Sequence, residues 1–445
     1  VYPWDAWLLW VYRAKAWFFA GNIFEFYSAA EWLQMSDPGA YTVDAVHYPL
    51  LPSVFPLWAA LSYGQWSETL VALPTFLCGL AIGLALYGQC RRAGAGLLMA
   101  VVAVYMLYSV PLIGTHLALA GYADIWMAGF AGLGFVGLMQ WRLQRARLSL
   151  LVGLVFVVLG VAIKSEGVVW LAAFLVLWFL YVVRWWVSLT IAAGLALLVF
   201  AGLYFGIDPV QLPFGQTLSI VGDRVELPFI KPFVLEVYNP WRTYTHGMFA
   251  MDSWNLLWTL LVTTVAVALF RIKRPESRIA LGFLLVFSAT QLFIFGVTQH
   301  GAFGESQTAS NRLAMHFLPA LLFVAVIVLG PLMREAFRNP AKTPWWRRAA
   351  PSVLAGRFVI AGGWYTMFAA AQQTAPAPQE PLRFAPVQFK PIVGKWSSTV
   401  DSLKLFALQD GFGAASVQGV EIDTAANPLL HFTVEAGETL RRPVV

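Results

Sequence analysis

Charge is scarce in this chain. Of 445 residues only 12% are charged while 59% are hydrophobic, with 20 tryptophans and a mean hydropathy of +0.68. Soluble domains carry roughly 25% charged residues, so the composition excludes an ordinary soluble protein and points to an integral membrane one. Cysteine is nearly absent as well. Cys78 and Cys90 are the only two, and on one helix they would lie about 18 Å apart at ~1.5 Å per residue, which excludes a disulfide between them. No HExxH pattern or other paired metal-ligand spacing occurs, and the two halves show no internal repeat of the sort expected in many secondary transporters. The formal net charge of +6 does not indicate nucleic-acid binding, because the basic residues fall in short junctions between apolar runs.

What the chain has in abundance is apolar sequence. Windows approaching the ~20 residues that span a bilayer occur near 67–89, 94–114, 125–141, 148–164, 167–183, 185–207, 253–270, 279–298, 313–333 and 357–373. The expectation is an all-α polytopic bundle of about ten transmembrane helices with outer interfacial helices, occupying residues 1–373. Basic clusters mark every second junction: Arg91 and Arg92; Arg142, Arg145 and Arg147; Arg184; Arg271, Lys273, Arg274 and Arg278; then Arg334 through Arg357. The positive-inside rule places these five clusters in the cytoplasm. Residues 1–66, 115–124, 164–167, 208–252, 299–312 and the tail then face outward.

Two outer segments read as lying on the membrane, both within residues 6–64. Trp7, Trp10, Val11, Ala14 and Phe18 recur at helical spacing, with Arg13 and Lys15 off that stripe, as in an interfacial helix. Residues 48–63 hold Pro49, Pro52 and Pro56 and lack a basic end; counted as a crossing, they would invert every later junction. The polar, proline-rich run from Gln372 to Pro378 reads as a linker. Alternation such as Leu429-Leu430-His431-Phe432-Thr433-Val434 predicts a small β-rich outer domain over 374–445.

The outward junctions also carry the candidate chemistry. Asp5 stands in Tyr2-Pro3-Trp4-Asp5-Ala6-Trp7, and Asp124 in Gly121-Tyr122-Ala123-Asp124-Ile125-Trp126. Two carboxylates at separate helix mouths can share a cleft, one as general base and one orienting an acceptor or a metal, or each can be a solvated cap. Lys164-Ser165-Glu166-Gly167 divides a long apolar run into two limbs of about 16 residues. Each limb covers ~24 Å, less than a ~30 Å hydrocarbon core, so Lys164 and Glu166 sit below the surface. Charges there face a cavity or pair with one another: Lys164 either binds a lipid phosphate or forms a structural pair with Glu166. His47-Tyr48-Pro49-Leu50 is a rigid entry in which His47 is a ligand or an exposed turn residue. The junction 299–312 supplies His300, Glu305 and Arg312, with His316 one turn beyond. Arg312 suits phosphate contact or snorkelling, and His300 and Glu305 leave a divalent metal open.

In their order, these motifs resemble the GT-C superfamily of membrane glycosyltransferases, including protein O-mannosyltransferases and the lipid A aminoarabinose transferase. The resemblance runs from residue 1 to about 330 and rests on Asp5 in a first outer loop, Tyr48-Pro49-Leu50, Tyr122-Ala123-Asp124, Lys164-Ser165-Glu166-Gly167, and Arg312 with Pro319. It implies a polyprenyl-phosphate-linked sugar donor and a glycan, lipid or protein acceptor. It makes Asp5 the catalytic carboxylate and Asp124 the second acidic residue, and it sets Lys164 near the donor phosphate. Arg13 and Arg312 are further phosphate candidates; Lys15, His47, Tyr48, Glu166, His300 and Glu305 are further site candidates. The implied setting is the outer face of a bacterial-type inner membrane, with the site and the carboxyl terminus facing the periplasm or exterior. The family usually has a helix before the first aspartate, often paired acidic residues where Asp5 is followed by Ala6, and often two prolines after the tyrosine. The chain opens on Val1, so a preceding membrane helix ending just before Asp5 is expected. The rival readings are a secondary transporter and a noncatalytic glycan-assembly protein.

Overall fold

The computed structural model describes residues 9–35, 40–43, 45–118, 121–228, 230–251, 253–306, 309–338, 420–423 and 431–434. Asp5, the apolar window 357–373 and most of the tail lie outside the described residues. The chain divides into two units, one holding the helical region and one holding the tail. Within the tail unit, Val420–Asp423 pairs antiparallel with His431–Val434, Ile422 opposite Phe432.

The first unit is built from helices. Among the described residues, three are long and apolar enough to cross a membrane: Leu70–Arg92, Pro275–Val297 and Leu318–Glu335. A fourth follows if Leu97–Ser109 and Pro111–Ala118, bent by 63° at their junction, count as one span. The bend has a local cause, because Val110 precedes a proline and is held extended. The windows at 148–164, 167–183 and 253–270 become the helices Arg147–Val161, Gly167–Val182 and Leu257–Phe270, of 15, 16 and 14 residues. These fall short of the ~20 residues of a straight crossing. The described helices therefore establish fewer crossings than the ten apolar windows suggest.

Small residues let the central helices approach. A Cβ at Gly153 of Arg147–Val161 would lie 2.7 Å from the Gly134 carbonyl oxygen, and one at Gly137 2.7 Å from that of Ser149, both across the contact with Leu133–Gln144. This is the close backbone packing that small residues permit where no water drives helices together. Gly167 likewise lies against the Gly160 carbonyl, so the two limbs pack tightly where Lys164, Ser165 and Glu166 turn the chain. Around this frame Phe135, Phe174, Phe283 and Phe317 fill the core.

The alternation of basic junctions has a physical counterpart. The Arg92 Nε–H donates to Gln144 Oε1 at 3.2 Å, and Arg271 lies 3.8 Å from Glu335, so separate basic junctions meet. The non-basic junctions meet as well, as described below.

Two features differ from the expectations. Arg13 is not on an outer face of its helix. In Val11–Ala20 it is buried with Val11, Ala14 and Trp17, and its guanidinium donates to the carbonyls of Ala45 at 2.7 Å, Val46 at 3.2 Å and Tyr48 at 3.0 Å. A planar fork of five N–H donors suits such a cluster of loop carbonyls, and this explains why an arginine can sit among apolar neighbours. The second feature is a four-stranded antiparallel meander in the segment between the helices ending at Phe205 and beginning at Leu257: Ile207–Leu212, Gln216–Val221, Arg224–Leu227 and Ile230–Val234. Gly222, at a φ of 62°, makes one of its turns, and Ile220, Val225 and Phe233 form its small core. The helix Leu51–Tyr63, with Pro52 in its first turn and Pro56 inside, has 13 residues and packs on Val11–Ala20. At ~1.5 Å per residue it is too short to cross.

Candidate functional site

Asp124 is the hub. It begins the helix Asp124–Met127 and is fully buried. Its Oδ1 accepts from Lys164 Nζ at 3.1 Å and from His316 Nε2 at 2.9 Å; its Oδ2 accepts from Arg312 Nη2 at 2.7 Å and Nε at 3.2 Å. Lys164 also pairs with Glu166 at 3.2 Å. Three junctions distant in sequence thus meet at one carboxylate, and all three belong to the set that the basic-loop pattern places on a single face.

Each partner is positioned by its local chain. Lys164 follows Arg147–Val161 and is held by the tight turn into Gly167–Val182. Arg312 lies in the helix Ser310–Met315, whose Asn311 accepts from the buried Trp254 indole N–H at 2.8 Å. The Arg312 guanidinium also lies over the Tyr122 ring, 4.9 Å from its centroid, a cation–π contact. Gly132 leaves room for the His316 carbonyl, which a Cβ there would meet at 2.8 Å.

The His316 tautomer follows from its neighbours. The Trp170 indole N–H, which can only donate, lies 3.1 Å from His316 Nδ1. Nδ1 is therefore the acceptor, and the proton sits on Nε2, donating to Asp124. A second proton on Nδ1 would break the Trp170 bond, so the ring is neutral.

These groups lie at helix ends, outside the candidate spans, and their ionisation is settled by their surroundings. Burial acts to raise the Asp124 pKa, but Arg312, then Lys164 and His316, outweigh it and hold the carboxyl well below its usual range. Burial acts to lower that of Lys164, yet Asp124 and Glu166 raise it above the ordinary lysine value. Glu166 is lowered, burial opposing and Lys164 prevailing. His316 is lowered, burial outweighing the Asp124 bond. Two cations and two carboxylates therefore coexist beside a neutral imidazole.

The linkage has a sign that can be tested. A histidine with a depressed folded pKa resists a proton that the unfolded chain accepts near pH ~6.5, so stability falls as pH drops below that value. Asp124 behaves differently: its contribution is present above the unfolded value of ~3.9 and is lost only at pH well below it. Thermal unfolding should show the melting temperature declining from pH ~7 to ~5.5, with the decline shallower in His316→Gln. A decline as steep in the variant as in the native chain would remove this role from His316.

The other expected site residues divide. Tyr48 is near the cluster: burial and the Glu166 carboxylate push its hydroxyl up, with Lys164, Asp124 and Arg312 also acting on it. Its ring packs edge-on against Trp10, 5.4 Å between centroids. Arg13 gives its two terminal nitrogens to the carbonyls already named, which commits them to the fold and not to an external phosphate. Lys15 pairs with Glu68 at 2.7 Å, both about half exposed. His47 is exposed with its ring 5.0 Å from that of Tyr48. His300 and Glu305 are exposed at the start and end of the short helix Gly301–Glu305. Among the described residues no group of three His, Cys, Asp or Glu side chains could hold a metal. Asp5 lies outside the described residues, so its placement beside Asp124 stays an expectation.

Sequence reasoning undervalued His316 and missed Trp170. The available signal was weak: Trp170 falls four residues after Glu166 on the same helix, the spacing that puts two side chains on one face. No family model, curated protein or solved structure matches this chain.

Proposed function

We propose that this protein is an inverting membrane glycosyltransferase that moves a sugar from a polyprenyl-phosphate donor to a hydroxyl on a glycan, lipid or protein. The reading sets it in a bacterial-type inner membrane as a multi-pass bundle of about ten helices, with the site and carboxyl terminus facing outward. The observation that carries it is the convergence of Asp124, Lys164, Arg312 and His316 from three separate junctions. Buried charges at the ends of apolar helices are costly and need a reason, and a pre-set pair of cations suits a departing phosphate. In this reading the bond from sugar C1 to the phosphate oxygen breaks with its electron pair going to the phosphate. The acceptor oxygen bonds C1 from the opposite face, and Asp5 takes the acceptor proton. Asp124, saturated by its three partners, does not titrate; it holds Lys164 and Arg312 in place.

The test is transfer of labelled sugar from polyprenyl phosphate to a hydroxyl acceptor in vesicles containing the purified protein. Native protein should transfer, and Asp5→Asn should lower the rate by about 100-fold or more, the scale of a lost general base. Solute uptake without transfer would favour a transporter, and neither activity would leave a noncatalytic assembly protein.

A further inference from the structure

We propose a second binding site, at the opposite, basic end of the bundle, for the headgroup of a phospholipid that carries both a phosphate and a primary ammonium. The site is a cavity of about 200 Å³ where four chain segments meet, lined by Ala93, Ala95, Leu143, Glu276, Ile327 and Arg334. That volume holds roughly seven waters at ~30 Å³ each, room for a phosphoethanolamine group.

The two charged residues of the lining define the ligand. Arg334 and Glu276 face one cavity without pairing to each other, and neither has an ion-pair or side-chain hydrogen-bond partner among the described residues. Nearby basic side chains are already engaged, Arg271 with Glu335 and Arg92 with Gln144. An arginine and a carboxylate held apart across a small cavity complement a zwitterion: the guanidinium binds phosphate oxygens, and the carboxylate accepts from the ammonium. A purely anionic headgroup would use Arg334 but would meet Glu276 as a like charge. A trimethylated ammonium would have no N–H to donate. The remaining walls, Leu143 and Ile327, are apolar, and the cavity adjoins the end of Leu318–Glu335, a helix long enough to cross a membrane. A ligand there meets the bilayer edge, where a headgroup arrives with its acyl chains, and basic pockets between helices at such edges are recurrent lipid sites.

The experiment is lipid retention by the purified full chain, measured by native mass spectrometry after equal exposure to phosphatidylethanolamine, phosphatidylcholine and phosphatidylglycerol. The native protein should retain phosphatidylethanolamine about fivefold over phosphatidylcholine, the discrimination expected of one hydrogen bond of ~1 kcal/mol net. Glu276→Gln should lose that preference and keep phosphatidylglycerol; Arg334→Gln should lose both lipids. Both residues are away from the Asp124 cluster, so sugar transfer should be unchanged in either variant. Equal retention of phosphatidylethanolamine and phosphatidylcholine by the native protein, or an intact preference in Glu276→Gln, overturns the proposal. So does retention of none of the three lipids by the native protein.

Discussion

Asp124→Asn should destabilise the protein by about 3–5 kcal/mol, the usual cost of breaking a buried ion pair by removing one partner. The asparagine keeps the volume and can still accept one hydrogen bond, but it leaves Arg312 facing a neutral amide and Lys164 with Glu166 as its remaining carboxylate. The penalty comes from Lys164, buried from water, and Arg312, partly buried, each losing the Asp124 charge that offset its desolvation. A second variant isolates this cause. Adding Lys164→Met to Asp124→Asn removes one stranded charge, so the double variant should be more stable than the sum of the single losses predicts, by about 0.5–3 kcal/mol of coupling. Equilibrium unfolding in detergent measures all three. Strict additivity would mean that Lys164 and Asp124 act independently, against the 3.1 Å contact.

The same residues show how far the sequence could be read. Asp124, Lys164, Glu166 and Arg312 could be singled out because ionisable side chains at the mouths of apolar runs are expensive there and need a reason. That they share one carboxylate was not legible, since contacts spanning 40, 188 and 192 positions along the chain leave no local pattern. Arg13 misled for the opposite reason. An arginine one position from an apolar stripe reads as solvent-facing by periodicity, but its true partners are the carbonyls of a loop more than thirty residues on.

The meander at 207–234 is hard to read in the sequence because its strands, of four to six residues, are short beside apolar runs long enough for helices. Its signals were present: alternation through Thr217, Leu218, Ser219 and Ile220, then Gly222-Asp223 as a two-residue turn. The described helices do not establish ten crossings, because an apolar window does not fix a helix length. Pro111 bends one window by 63°, and the turn at Lys164 caps two others at 15 and 16 residues. Short limbs are what place Lys164 where Asp124 can reach it, so the feature that lowers the count of long spans also builds the cluster.

The central claim is that the cations held by Asp124 form the seat of a donor phosphate, and Lys164→Met tests it most directly. Methionine keeps the length and apolar stem of the lysine and removes its charge. Asp124 retains Arg312 and His316 as partners, so a folded fraction should survive. The decisive measurement is the affinity of that folded fraction for polyprenyl phosphate in vesicles, compared with native protein in the same lipid. Loss of a buried charge-assisted contact is expected to weaken binding by about 2–3 kcal/mol, or roughly 30- to 150-fold. Unchanged affinity in the folded fraction, with the cost appearing only as lower stability, would contradict the claim and leave Lys164 a structural partner of Asp124 and Glu166.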